Sequence, residues 1–303
     1  MPVRHPVERG AGRRDGTAGG VGSDAYVDAG VCDAGGAEGS RGGGVTRLIT
    51  CRHKMNDIED GHYYKKQVAC KSGIIAWSHR SRFEFALKLA GEKPGAVLDY
   101  GCGDGTFLAM IEPKASFACG VDIAENQIHE CQERFQGRQI LFQPINSKIY
   151  LIRPDGFDLV TCMETLEHCT EKVIEIVLKD LAALVKNDGR VIVSVPIEIG
   201  PTFVLKKIVR TIAAWRGLSD YKFYEKYTIK NALAMIFARS NTNIERPEYG
   251  PEGEKSHSHY GFNWKALEKR ISAHFRIKSR HFTPLGWSRG FLSSQVWFVC
   301  SKK

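Results

Sequence analysis

Between Val97 and Thr106 the chain reads Val-Leu-Asp-Tyr-Gly-Cys-Gly-Asp-Gly-Thr, an apolar run that carries Asp99 and turns through Gly101, Gly103 and Gly105. Glycines take positive φ without steric cost and let a backbone approach a ligand closely. A helix that opens on such a turn points its first amides at a carboxylate or phosphate. Further on, Gly120-Val121-Asp122-Ile123 ends a second apolar run on an acid. A carboxylate at that place accepts both hydroxyls of a ribose. Dinucleotide turns follow a G-x-G-x-x-G spacing, whereas position 106 is Thr. The expected ligand therefore carries a nucleoside but is not a dinucleotide.

Other side chains can move protons or shape a pocket. His168 closes the run Glu164-Thr165-Leu166-Glu167-His168, and an imidazole there titrates near neutral pH and can take a proton from a hydroxyl. The alternative is a histidine that orients Glu164 or caps the next helix. Downstream, His257-Ser258-His259-Tyr260-Gly261-Phe262 concentrates imidazoles and aromatics, a composition suited to a pocket wall, so His257, His259 and Tyr260 are candidates for contacting a substrate. No carboxylate stands at a metal-ligand spacing from these two histidines, and no metal is expected.

These groups must be held by a scaffold, and its rhythm is legible. Ala96–Tyr100, Phe117–Asp122, Gln139–Gln143, Phe157–Cys162 and Arg190–Val195 read as short buried strands, with helical stretches at Thr106–Ile111, Ala124–Phe135 and Glu171–Val185 between most of them. Such alternation argues a parallel sheet with helices on both faces and ligands beyond the carboxyl ends of the strands. A helix from about Ser78 precedes the first strand. Past Pro196 a mostly helical stretch, about Thr202 to Ser240, reads as an insertion over the site, spanning about 200–265 with the loop that follows it. Two last strands are expected at Phe275–Phe282 and Gln295–Cys300. The first 50 residues hold 13 of the 31 glycines and almost no aliphatic periodicity. Residues 1–54 are expected to be disordered, or else to lie outside the native product with Met55 as its start, while 55–303 form a single domain.

In this order, VLDYGCGDGTF, GVDIAENQI, FDLVTCMETLEH and LVKNDGRVIVSVP resemble the class I S-adenosylmethionine-dependent methyltransferases, and within them the small-molecule, ubiquinone-biosynthesis-like (type 11) group. The resemblance runs from about Pro94 to Pro196. It implies a Rossmann-like, doubly wound α/β fold: a seven-stranded sheet, mostly parallel with an antiparallel C-terminal strand, and a helical insertion after the fifth strand. It also implies S-adenosyl-L-methionine as cofactor. Asp99, Gly101 and Gly103, with Cys102 between the glycines, would then line the methionine moiety. Asp122 would hold the ribose and Ile123 would pack on adenine. Asn146 stands where the group often has an acid near the adenine amino group, and Cys162, Met163 and Glu164 would sit near the sulfonium and the methyl path. The reaction implied is in-line methyl displacement onto a small-molecule, glycan or lipid-like acceptor at O or N. A nucleic-acid or protein methyltransferase and a cofactor-binding protein without turnover are the alternatives.

Bulk properties narrow the partners. The 303 residues carry a formal net charge of +9, but Lys and Arg are spread without a long basic run, which disfavours nucleic acid. Residues 203–216 form an amphipathic, basic helix that can either cover the pocket or rest on anionic lipid. Nine cysteines form no C-x-x-C pair, so reduced thiols in a cytoplasm are the simpler reading. No apolar run reaches the roughly 18 residues of a spanning helix.

Overall fold

The apolar runs that become the central strands at Ala96–Tyr100, Phe157–Cys162 and Val191–Pro196 are buried on nearly every residue, which suits the centre of a parallel sheet with helical crossovers on either face. In the computed structural model, which describes residues 58–61, 64–65, 73–215, 228–249 and 255–303, helix α1 (Gly73–Ala90) leads into β1 (Gly95–Tyr100). Then follow α2 (Thr106–Ile111), β2 (Ala115–Asp122), α3 (Glu125–Arg134), β3 (Ile140–Pro144), the short α4 (Ile149–Ile152), β4 (Phe157–Met163), α5 (Glu171–Leu184) and β5 (Val185–Pro196). The region after β5 contributes α6 (Pro201–Trp215), α7 (Ile229–Ile236) and a small hairpin of β6 (Glu248–Tyr249) and β7 (Ser256–His257). Helix α8 (Trp264–His274), β8 (Phe275–Thr283) and β9 (Gln295–Lys302) complete the fold.

The sheet order is β3-β2-β1-β4-β5-β9-β8, and β9 runs antiparallel to both of its neighbours. This is the expected seven-stranded, mostly parallel sheet. Its order reverses between β1 and β4, which opens the crevice where doubly wound folds take ligands. Because β9 is reversed, its first residue, Gln295, lies beside the last residue of β5, Pro196, at the carboxyl edge.

Two expected boundaries shift. The strand predicted from Arg190 begins at Val185, where the helix was expected to end, because the polar Lys186–Gly189 segment is thrown out as a bulge between the Phe157–Val185 and Leu159–Arg190 pairs. The single helical stretch predicted over 202–240 contains α6 and α7, with residues 216–227 outside the described set. Residues 1–54 also lie outside it. Among the described residues no helix is long and apolar enough to cross a membrane.

Two apolar layers clamp the sheet. On one face Leu98, Val160 and Phe298 meet Leu178 and Leu181 of α5 and Ile271 of α8. On the other, Val97, Leu159 and Trp297 meet Leu108 of α2, Ile128 of α3 and Ala86 of α1. Helix α5 buries Ile174, Val177, Leu178 and Leu181 at i, i+3, i+4 and i+7, the stripe an amphipathic helix offers a sheet. Trp297 is fully buried, and its indole N–H is not lost there, since it donates to Thr283 Oγ1 at 2.9 Å.

Helix α2 starts at Gly105, whose φ is 72°. A Cβ at that position would sit 2.9 Å from Phe135 and Phe142, two rings stacked 5.7 Å apart beneath the turn. Gly105→Ala therefore meets both a left-handed backbone and a close-packed wall. The expected cost is about 1–3 kcal/mol, read as a lower midpoint in urea denaturation; an unchanged midpoint would show that the turn adapts.

Candidate active site

The glycine turn after β1 is fixed by its own amides. Gly101 N and Cys102 N both donate to Val121 O, at 2.8 and 3.0 Å, and Gly103 N donates to Asp122 Oδ2 at 2.9 Å. The other Asp122 oxygen accepts from Ala124 N at 3.0 Å. One carboxylate thus ties the end of β2 to the turn after β1. Gly101, at φ 81°, packs so tightly that a Cβ would lie 2.4 Å from Thr165 Oγ1, whereas a Cβ on Gly103 would meet nothing within 4 Å. The first glycine serves packing and the second leaves an open face for a ligand.

Beside this turn is a cavity of about 180 Å³, lined by Asp99, Gly101, Gly103, Met163, Glu164 and, from outside the quoted motifs, Arg82. Ser194, Gln295 and Trp297 close its far wall. Thr106 Oγ1, Glu164 Oε1, Ser194 Oγ and Gln295 Nε2 are buried without a hydrogen-bond partner in the protein. Buried polar atoms rarely stay unpaired, so their convergence on one cavity marks a place for a polar ligand. Burial raises the Asp99 carboxyl to about 7, opposed by the 2.6 Å hydrogen bond from Thr161 Oγ1 and assisted by the charge of Asp122. Arg82, from α1, pairs with Glu164 at 3.0 Å. Glu164 itself takes φ 52°, an unusual backbone for a residue other than glycine, and its amide donates to Ser194 O at 3.0 Å. That kink ends β4 and carries the chain into the turn Leu166–His168.

In that turn Glu167 is fully buried, and neither carboxylate oxygen has a hydrogen-bond partner. Desolvation, reinforced by the nearby Glu164, pushes its carboxyl well above the usual range. His168 Nδ1 lies 2.9 Å from the carbonyl oxygen of His257. A carbonyl can only accept, so Nδ1 carries the proton and a neutral ring keeps its lone pair on Nε2. Nε2 lies 3.8 Å from Glu167 Oε1, and the ring meets His259 edge-on at 4.8 Å. Burial and the positive field of its neighbours lower His259 to about 4, so it is a neutral imidazole. Ligand atoms of Glu167, His168 and His259 all lie within 4.8 Å of one another, a set that can hold a divalent cation. Spacing along the chain hides this set because His259 arrives from the loop after β7.

Arg246 positions that loop. Its guanidinium donates to the carbonyls of Glu167, Ser258 (2.7 Å) and Tyr260 (3.0 Å), and stacks 5.2 Å from the Phe262 ring. Neither Arg246 nor Arg82 stood out in the sequence, since a lone arginine in a polar stretch or amphipathic helix carries no local signature.

The structure therefore sorts the expected residues. Asp99, Gly101, Cys102, Gly103, Met163 and Glu164 line one cavity. Asp122 lies beside it, followed by Ile123, an isoleucine 76% exposed at the end of β2. Asn146 is exposed in the tight turn just past Pro144, the strand partner of Asp122. His168 and His259 come together at the edge of the site. Three of the expected residues are placed apart from the cavity lining. Cys162 points away from the cavity: side chains alternate along β4, so Met163 faces the cavity layer while Cys162 is buried among the opposite core. Its thiol is raised well above the ordinary value by burial, which makes it inert. His257 turns its Nδ1 to Pro247 O at 2.9 Å and serves the site through its backbone carbonyl. Tyr260 is buried, with its hydroxyl 2.6 Å from Asn231 Nδ2, and secures α7 rather than facing a substrate.

A glycine turn at the switch point, an acid ending β2 and the reversed β9 together define a class I methyltransferase fold with a site for S-adenosylmethionine. A family model described as a methyltransferase domain matches residues 76–245, and the chain belongs to that family. The ubiquinone biosynthesis O-methyltransferase of Aeromonas salmonicida (strain A449) is 31% identical over 104 residues, covering 32% of this chain and 42% of that protein. The protein of the same name from Bordetella avium (strain 197N) is 28% identical over 183 residues, covering 56% and 73%. The chain thus spans less than half the length of the first of these relatives. Among solved structures, the PH0226 protein of Pyrococcus horikoshii OT3 is similar in fold, with a TM-score of 0.51 at 15% identity, covering 77% of this chain and 93% of that one.

Two outcomes check the cradle. Asp122→Ala removes the acceptor of the Gly103 and Ala124 amides and should weaken S-adenosylmethionine binding by roughly tenfold or more in calorimetry; equal affinity would displace Asp122 from the site. Asp99, raised to about 7, favours the folded state in its protonated form, and that contribution is lost as pH rises through 7. A cationic ligand group beside it reverses the balance. Donor affinity should therefore climb between pH 6 and 8, and Asp99→Asn should flatten the climb.

Proposed function

We propose that this chain transfers the methyl group of S-adenosylmethionine to a hydroxyl oxygen of a small-molecule acceptor, with His168 taking the hydroxyl proton. The observation that carries this reading is the Nε2 lone pair of His168, freed by the Nδ1 contact to His257 O and placed beside Glu167. An amine acceptor already has its lone pair, whereas a hydroxyl gains from a positioned base. The names of the relatives, O-methyltransferases of ubiquinone biosynthesis, support oxygen as the acceptor atom.

In this reading Asp122, Ile123 and Asn146 hold the nucleoside, while Asp99, Gly101, Gly103 and Met163 hold the methionine end. The acceptor oxygen attacks the methyl carbon in line with the C–S bond. The new O–C bond forms as the C–S bond breaks, its electron pair stays on sulfur as S-adenosylhomocysteine, and the proton passes to Nε2. The buried Glu167 carboxyl, 3.8 Å from Nε2, then faces the imidazolium and can give up its proton in response to that charge. Most of the rate comes from alignment, which the fixed turn and the Arg246 clamp provide. In this reading the described parts of the segment after β5, α6, α7 and the loop at 258–263, wall the acceptor: Lys206 of α6 pairs with the buried Glu198 at 2.8 Å, and Glu198 lies close enough to His259 to act on its charge.

A second reading rests on the two unpartnered oxygens of Glu167. A buried carboxylate without a partner costs several kcal/mol, and a divalent cation shared with His168 and His259 would relieve that cost. The cation would then polarise the acceptor hydroxyl, and the histidine would be a ligand rather than a base.

His168→Gln and Glu167→Gln separate the two. As a base, His168 contributes roughly 100-fold or more to kcat, so His168→Gln should lose that factor while calorimetric donor affinity stays within about twofold; undiminished turnover on a hydroxylated acceptor panel would end the base reading. Mn2+ titrated calorimetrically into wild type and Glu167→Gln tests the second. Binding in wild type that disappears in the variant, with turnover suppressed by a chelator, supports the cation. No binding and no chelator effect remove it.

A further inference from the structure

The outer face of the region after β5 is apolar where a solvated helix would be polar. On α6, Val204, Leu205, Ile208, Ile212 and Trp215 are all exposed, Ile208 by 51% and Trp215 by 84%. At about 100° per residue these positions fall within one arc of roughly 100°. The inward side of the same helix carries Thr202 and Phe203, which are buried, and Lys206, which reaches Glu198. Helix α7 packs on α6 and repeats the pattern. Met235 is buried, while Ile229, Leu233 and, just past the helix end, Phe237 recur every four residues and are exposed. The first turn of α6 is also bonded to the loop before β9, through Thr202 Oγ1 to the carbonyls of Gly290 and Phe291, and that loop exposes Trp287, Phe291 and Leu292. Exposed apolar patches of this extent mark docking faces.

Charge selects the occupant. Among the described side chains Lys207 of α6, Lys230 of α7 and Arg239 just beyond it are exposed, and neither helix contains an acidic residue. A second copy of the same face would bring like charges together. The glycine-rich first 50 residues lack the aliphatic periodicity to fill an apolar stripe. An anionic lipid surface complements both properties, since apolar side chains enter the acyl boundary while lysines and arginines meet the phosphates.

We propose that the outward stripes of α6 and α7 seat this protein on anionic membrane surfaces. The proposal does not rest on the methyl-transfer reading. It does place the mouth of the site at a lipid boundary, because α6 carries the membrane stripe on one side and Lys206, partner of Glu198, on the other.

The test is co-sedimentation of the full chain with vesicles of phosphatidylcholine alone and of phosphatidylcholine with phosphatidylglycerol, at low and at 0.5 M salt. The expected result is pelleting with anionic vesicles, at least roughly tenfold above the neutral ones, weakened by salt and lost in Ile208→Glu/Ile212→Glu. Both positions face solvent, so the variant should keep wild-type donor affinity, which certifies its fold. Equal pelleting with both vesicle types, or an unaffected variant, would overturn the proposal. So would a concentration-dependent dimer that the same variant abolishes in the absence of vesicle binding, because the stripe would then pair two copies.

Discussion

Carboxylates gathered at one edge of the sheet are the constraint around which the molecule is arranged. Asp99, Glu167 and Glu198 are each nearly or wholly out of water, and Glu164 lies near enough to Glu167 to raise its carboxyl. Burying a charge is costly unless something compensates it. Arg82 comes from α1, Lys206 from α6 and Arg246 from the segment before β6, so three otherwise separate parts of the chain are drawn to one place by the same electrostatic demand. What compensation the protein does not supply is left at the cavity, where an incoming ligand can supply it.

Strand register turns this demand into geometry. Asp99 pairs with Gly120 on one side and Thr161 on the other, Met163 with Ser194, and Ser194 with Trp297. A one-residue slip in any of these would send the cavity-facing side chains into the opposite core. The apolar layers on both faces make such a slip expensive, which is how hydrophobic packing far from the cavity protects its chemistry.

The parallel core was readable because its signals are local: a strand, an acid, three glycines and a helix within a dozen residues from Val97 to Leu108. The same holds for Asp122 and Ile123. The acceptor side was less readable because its parts meet only in space. Arg82, Ser194, Gln295 and Arg246 come from four segments, and no spacing rule links them. Cys162 was separable in principle, since the period of two in β4 sets it against Met163. His257 and Tyr260 stood in a stretch whose composition resembles a pocket wall. The His257 Nδ1 and the Tyr260 hydroxyl are engaged by Pro247 O and Asn231 Nδ2, contacts that depend on how the described parts of this segment fold back.

The reversal of β9 carries a consequence for assembly. Its start supplies Gln295 and Trp297 to a cavity whose other walls include α1 and the ends of β1, β4 and β5, and Ser78 of α1 meets Ser294 across 216 positions of chain. Closing so long a loop is entropically slow work, rewarded only when both ends have arrived. The parallel strands can therefore be in place while the cavity still lacks a wall. Any ligand that fits the cavity would select, by mass action, for copies in which the two distant ends have met.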